Sequence, residues 1–175
     1  MLVLGLVAGG LLVTGWVLYP VALWAAVTVT GRRRPAHATP AEWPEVEGII
    51  ATREPPEAIR ARVLSLLASD YPADRLRVTV ALDASVAGHR GTLEAALADL
   101  PPVQVVVSTG PAGKAGALNA AVRAARAEVL VFSDTAQSFE AGTIHALVRC
   151  LAAPGVAGAS GYLAAAGDRG RPAAW

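Results

Sequence analysis

Three carboxylates, a lysine and a glycine-rich loop are the residues of this sequence best suited to chemistry. Thr52, Arg53 and Glu54 follow one short apolar run, and Asp83 and Ser85 follow a second. A third run leads into Gly110-Pro-Ala-Gly113-Lys114-Ala-Gly116, and a fourth into Asp134. Lys114 is the only lysine beside fourteen arginines, and Asn119, five residues later, is the only asparagine. Together these groups suit a nucleoside diphosphate with a metal ion. Glycines let backbone N–H groups approach a diphosphate closely, and a lysine supplies a point charge to it. A carboxylate such as Asp134 can share a hard cation with phosphate oxygens. Asp83 could accept hydrogen bonds from a ribose hydroxyl or a base N–H. Taken singly, Asp83 and Asp134 are more often turn residues or helix caps.

The elements that must position these groups alternate. Glu47 to Ala51 reads as a strand and Pro56 to Ala68 as a helix, with Ile59, Val63, Leu66 and Leu67 on one face. Leu76 to Leu82 is a strand, Thr92 to Leu100 a helix, Val103 to Ser108 a strand and Ala115 to Ala127 a helix. Glu128 to Ser133 is a fourth strand, Ala141 to Leu151 a helix, and Val156 to Ser160 a candidate fifth strand. Strict alternation implies an α/β fold with a mostly parallel sheet and flanking helices. The continuous apolar runs of the third and fourth strands fit burial on both faces. In such sheets ligands bind beyond the carboxyl ends of the strands, which is where Thr52, Arg53, Glu54, Asp83, Ser85, the glycine-rich loop with Lys114, and Asp134 fall.

Composition narrows the partners. A formal net charge of +1 argues against nucleic acid as a ligand. The single cysteine, Cys150, excludes an internal disulfide and reads as a small buried apolar residue. His145, on the apolar helix Ala141 to Leu151, reads as structural, and neither His37 nor His89 has a partner at ligand spacing.

The 54% hydrophobic fraction is concentrated at the amino terminus, where residues 1–31 carry no Asp, Glu, Lys, Arg or His. Leu2 to Thr30 exceeds the roughly 20 residues needed to cross a bilayer, and it lacks the basic start of a secretory signal. We read 1–31 as an uncleaved transmembrane anchor. Arg32, Arg33 and Arg34 then place the amino terminus outside the cell membrane and the globular part in the cytoplasm. Residues 32–45 read as a basic, Pro-rich juxtamembrane tether, 46–163 as the nucleotide-binding α/β region, and 164–175 as a loose tail.

Five ordered pieces carry a family likeness: Gly48-Ile-Ile-Ala-Thr-Arg-Glu54, the helix end Ser65 to Tyr71-Pro72, Asp83-Ala-Ser85, Gly113-Lys-Ala-Gly-Ala-Leu-Asn119 and Val131-Phe-Ser-Asp134. In order and spacing they resemble family 2 glycosyltransferases, the group that includes processive polysaccharide synthases and many membrane-bound bacterial enzymes. The likeness spans roughly Val46 to Tyr162. It implies a partial GT-A fold, Rossmann-like, preceded here by one transmembrane helix. It also implies a nucleoside-diphosphate sugar donor (often UDP), Mg2+ or Mn2+, and inverting transfer to an acceptor hydroxyl. Carried over, Thr52 and Glu54 lie at the nucleotide-binding turn, Asp83 and Ser85 at the base or ribose, Lys114 near the donor and Asn119 on the helix after it. Asp134 is the first residue of the metal-binding Asp-x-Asp.

Departures qualify that implication. Arg53 stands where Asn is common, and Ala84 replaces a usual Gly. Ala136 replaces the second carboxylate, which weakens the expected metal site. The family's acidic base motif lies farther along than Trp175, so the resemblance implies a catalytic half not present in these 175 residues. Two expectations follow: a transferase inactive as this chain and lacking its carboxy-terminal half, or a non-catalytic membrane-anchored remnant of the fold. The absence of Gly-x-Gly-x-x-Gly and Gly-Lys-Ser/Thr motifs disfavours dinucleotide and P-loop alternatives. Sugar, acceptor and oligomeric state are not readable.

Overall fold

The structure, a computed structural model, describes residues 2–30, 37–100 and 102–161. Arg32 to Arg34 and the segment 164–175 lie outside the described residues.

The described residues form two units, the first being the amino-terminal helix. Here α1 (Leu2–Val13) and α2 (Tyr19–Thr30) are joined by a π-helical turn, Thr14–Leu18. In that turn the Tyr19 N–H reaches back to the Thr14 carbonyl. The wider turn falls directly before Pro20, which has no N–H to donate and whose ring crowds the carbonyl four residues earlier. The stretch Val3–Val29 has a mean hydropathy of 1.9 over its best window and is long and apolar enough to cross a membrane.

The second unit holds a four-stranded sheet, β1 (Val46–Thr52), β2 (Leu76–Leu82), β3 (Val103–Val107) and β4 (Val129–Ser133), in the order β3-β2-β1-β4. All pairings are parallel. The helices are α3 (Pro56–Leu67), α4 (Arg90–Ala96), α5 (Lys114–Ala124) and α6 (Thr143–Leu151). One sheet face buries Val46, Ile50, Val78, Val80 and Val131 against Ile59, Val63 and Leu66 of α3, Leu93 of α4, and Ile144 and Val148 of α6. On the other face Ile49, Ala51 and Ala81 meet Ala117 and Ala121 of α5. Small alanines on that helix let it lie close to the sheet. The chain is therefore a mostly parallel α/β layer structure, as the alternation predicts.

Four differences from the sequence reading have physical reasons. β3 and β4 are the two edges of the sheet rather than doubly buried strands, and β1 and β2 are the buried centre. α5 packs mainly over β1, β2 and β3, and Phe132 of β4 is 54% exposed. Residues 156–160 form no strand: they are mostly exposed and contain only one large apolar side chain, Val156. Helix α5 stops at Ala124, because Ala125 is extended and the next two N–H groups turn to Glu47.

The fourth difference concerns residues 37–45, expected to be a tether. They pack on the unit instead: Ala38 N–H bonds to Arg149 O (3.0 Å), Arg75 donates to Trp43 O (2.7 Å) and the Tyr71 hydroxyl to Pro44 O (2.7 Å). Trp43 also meets the His145 ring edge-on with centroids 4.4 Å apart. His145 is structural here, its Nδ1 lying 2.7 Å from Asp70 Oδ1. Cys150 is half-buried, with its Sγ 3.4 Å from His37 Nδ1.

Candidate nucleotide site at the carboxyl edge of the sheet

Parallel register delivers the site. Thr52, Leu82 and Val107 lie side by side at the last rung of β1, β2 and β3, while Ser133 of β4 pairs with Ile50. The residues that follow therefore leave the sheet along one rim. A cleft of about 190 Å3 opens there, lined among others by Thr52, Arg53, Glu54, Asp83, Lys114 and Asp134. Glu54, Asp83 and Asp134 from the segments after β1, β2 and β4, and Lys114 from the first turn of α5, share this one crevice.

Each wall is fixed locally. Thr52 Oγ1 accepts the Glu54 N–H (2.9 Å) and Thr52 O accepts the Asp83 N–H (3.1 Å), so the loops after β1 and β2 are tied together. Asp83 is buried; its Oδ1 accepts the Ser85 N–H (2.8 Å) and its Oδ2 the Gly113 N–H (2.5 Å). The Ser85 N–H and hydroxyl, then the Gly113 N–H and the Arg53 charge, hold the Asp83 carboxyl below the usual aspartate range, against the opposing effect of burial. Each oxygen retains a second lone pair for a ligand.

Glycines shape the loop before α5. Gly113, the residue capping that helix, has φ of 129°, a conformation L side chains rarely adopt. At Gly116 a Cβ would lie 2.5 Å from Pro111 O and 3.0 Å from Ser108 Oγ, so the loop folds directly over the first turn of α5. This close packing brings Lys114 to the rim, where its Nζ donates to Asp134 Oδ2 at 2.8 Å. That bond is the leading cause holding the Asp134 carboxyl below its ordinary range. Thr135 Oγ1 lies 3.4 Å from the other Asp134 oxygen.

Two expected residues stand apart. Ser85 is exposed, outside the cleft lining, and its N–H is spent on Asp83. Asn119 is exposed and also outside the lining; five residues beyond Lys114 on a 3.6-residue helix, it lies on a different face from Lys114 and Ala117. Sequence reasoning in turn missed two buried charges. Glu47 accepts from the Thr79 hydroxyl, from Gln104 (3.3 Å) and from the N–H groups of Arg126 (2.9 Å) and Ala127 (3.4 Å). Burial raises its pKa, but the Thr79 hydroxyl, the two backbone donors and Gln104 together bring it below the ordinary glutamate value. Arg62, also buried, donates through Nε to Ser133 Oγ at 2.7 Å and lies 4.4 Å over the Phe139 ring. A charged residue alone in an apolar run, as in Val46-Glu47-Gly48, was the available signal.

The description Glycosyl transferase family 2 matches residues 48–174. The chain belongs to that family. This family 2 chain is also similar in structure to a mannosyltransferase, PcManGT from Pyrobaculum calidifontis, solved in complex with GDP-Man and Mn2+. The two share 28% identity with a TM-score of 0.64, over 77% of this chain and 40% of that one. The family 2 chain thus spans about two fifths of the length of that relative. A search of curated proteins finds no match. With the GT-A neighbour, the layered sheet is that of a partial GT-A domain.

The donor set fits a divalent cation poorly. A Mg2+ or Mn2+ ion would need carboxylate oxygens from this rim. Asp83 already accepts two N–H bonds, Asp134 holds an ammonium, and position 136 is alanine. Among the described residues no three His, Cys, Asp or Glu side chains are grouped to hold a metal ion.

Proposed function

We propose that this chain binds a nucleoside-diphosphate sugar in the rim cleft and is the donor-binding half of an inverting, membrane-anchored glycosyltransferase. The observation that carries this reading is the convergence of Thr52, Glu54, Asp83, Lys114 and Asp134 on one crevice at the carboxyl ends of parallel strands. In it, Asp83 and Thr52 meet the nucleoside, while Lys114 and the glycine loop meet the diphosphate. Ser85 acts from outside the lining, by fixing the Asp83 carboxylate. Family membership supports sugar transfer, and the neighbour's GDP-Man supports a nucleotide-linked donor. UDP is the base we favour from the motif pattern, with GDP as its competitor. The helix Val3–Val29 supplies the anchor, and the arginines after it would keep the cleft on the cytoplasmic side. Transfer also requires an acceptor substrate that brings the attacking hydroxyl and a base that takes its proton.

The test is thermal unfolding of the full chain in detergent with millimolar UDP or GDP. An upward shift with one nucleotide, lost in Asp83→Ala, is expected; no shift with either refutes the reading. Ala136 favours a second reading, donor binding without transfer. Titrating the Ala136→Asp variant with Mn2+ separates an intact site lacking one ligand, which gains affinity, from wider decay, which does not.

A further inference from the structure

We infer that Lys114, clamped by Asp134, is the built-in counter-charge for the donor diphosphate, so that nucleotide binding at this cleft does not require a divalent cation. The inference rests on the nucleotide-sugar reading above and concerns how the same site handles phosphate charge.

Three observations converge. First, the Lys114 ammonium sits 2.8 Å from Asp134 Oδ2, one of the two oxygens this carboxylate could offer a hard cation. A divalent ion entering there must either displace the ammonium or sit beside it against like-charge repulsion. Second, the usual partner carboxylate is missing: residue 136 is alanine, and each Asp83 oxygen already accepts one N–H, from Ser85 and from Gly113, which leaves one lone pair apiece. Third, the ammonium is not walled in. The Lys114 side chain is 58% exposed and lines the cleft together with Arg53, a second cation. An ammonium has three donors, so Lys114 can hold Asp134 with one and offer two to phosphate oxygens.

Asp134 thereby changes role. Instead of ligating a metal it fixes the direction of a long, otherwise freely rotating lysine, at the place where the chain has a single lysine to use. Asp134 is then a positioning residue and Lys114 the group that touches the ligand. Arginine, the common cation elsewhere in this chain, would not substitute. Its planar fork pairs with a carboxylate bidentately and leaves fewer donors aimed away from it.

The experiment is calorimetric titration of the full chain in detergent with UDP and with GDP, each in EDTA and in Mn2+. For the tighter nucleotide, affinity in EDTA should lie within about threefold of that in Mn2+. Lys114→Gln should weaken binding roughly tenfold or more under both conditions. Asp134→Asn should weaken it by an intermediate factor without abolishing it. Because the Lys114 side chain is largely solvent-exposed, an unchanged unfolding midpoint of Lys114→Gln in the absence of nucleotide confirms that the comparison reads binding. Binding seen only with Mn2+, and kept or strengthened in Lys114→Gln, would overturn the inference while leaving the nucleotide-sugar reading intact. No binding of either nucleotide under any condition would overturn both.

Discussion

The carboxylate of Asp83 accepts the backbone N–H of Gly113 at 2.5 Å, so the end of β2 holds the start of α5. The same side chain also closes its own turn through the Ser85 N–H. One residue therefore sets the spacing between two walls of the cleft. Asp83→Asn keeps the shape but replaces one acceptor oxygen with an NH2 facing a donor. We expect a lower unfolding midpoint at pH 7 and weaker nucleotide binding. The folded carboxyl titrates below its unfolded value, so its stabilisation is complete above the ordinary aspartate range and drains away as pH falls through the folded value. Melting curves of wild type and variant should accordingly converge toward acid pH. A gap that widens on acidification would contradict the assignment.

Gly116 offers a steric test. A methyl group there would meet Pro111 O at 2.5 Å, a backbone atom that cannot yield without moving the loop. Gly116→Ala should cost about 1–3 kcal/mol in stability and reduce nucleotide affinity, as measured by denaturant unfolding and titration. Gly110→Ala, where an added Cβ meets nothing within 4 Å, serves as the control with little effect.

Glu47 anchors the chain between α5 and β4 from the middle of the sheet. Glu47→Gln keeps one uncharged oxygen for the Arg126 and Ala127 N–H groups, which both bond to Oε2, but sets an NH2 where Oε1 accepts from the Thr79 hydroxyl and Gln104. A destabilisation of about 2 kcal/mol follows from leaving a buried donor unsatisfied. Amide hydrogen exchange should locate it, with Arg126 and Ala127 losing protection before the strands do.

Arg62 behaves differently. Its guanidinium is buried against Ser133, Ser65 and Phe139, with no carboxylate partner among the described residues, and burial lowers its pKa. Replacing a buried charge with an apolar side chain of similar length removes a desolvation cost that offsets the lost bonds. We expect Arg62→Met to shift the global unfolding midpoint by only a few degrees. Exchange at residues 134–142 should rise, since Phe139 loses its stacking partner. A large global destabilisation with no local change would show the opposite partition.

These side chains also mark what the sequence discloses. β2 was readable to the residue, because a Tyr-Pro turn precedes it and its run Leu76 to Leu82 is unbroken. The rim residues Thr52, Glu54, Asp83, Lys114 and Asp134 were readable as a group, because parallel strands send their last residues to one edge. Ser85 and Asn119 came with the motif but not with the cleft: a motif fixes spacing along the chain, not the face of a helix. The end of α5 was hidden because it is set by Glu47, nearly eighty positions earlier. Edge and centre were likewise indistinguishable for β3 and β4, since an apolar run reads the same with or without a helix above it. Phe132 is the visible result.

The order β3-β2-β1-β4 has an implication for how this cleft comes into being during synthesis. The pocket is lined from four separated places in the chain, at residues 51–54, 83, 113–117 and 134–135, and the strand that brings Asp134 is the last of the four to be made. Until β4 docks beside β1, Lys114 has no clamp. With nucleotide binding as proposed, occupancy would report completed assembly, and a permuted or split version of the chain could be screened for correct pairing by whether it retains a fluorescent nucleotide.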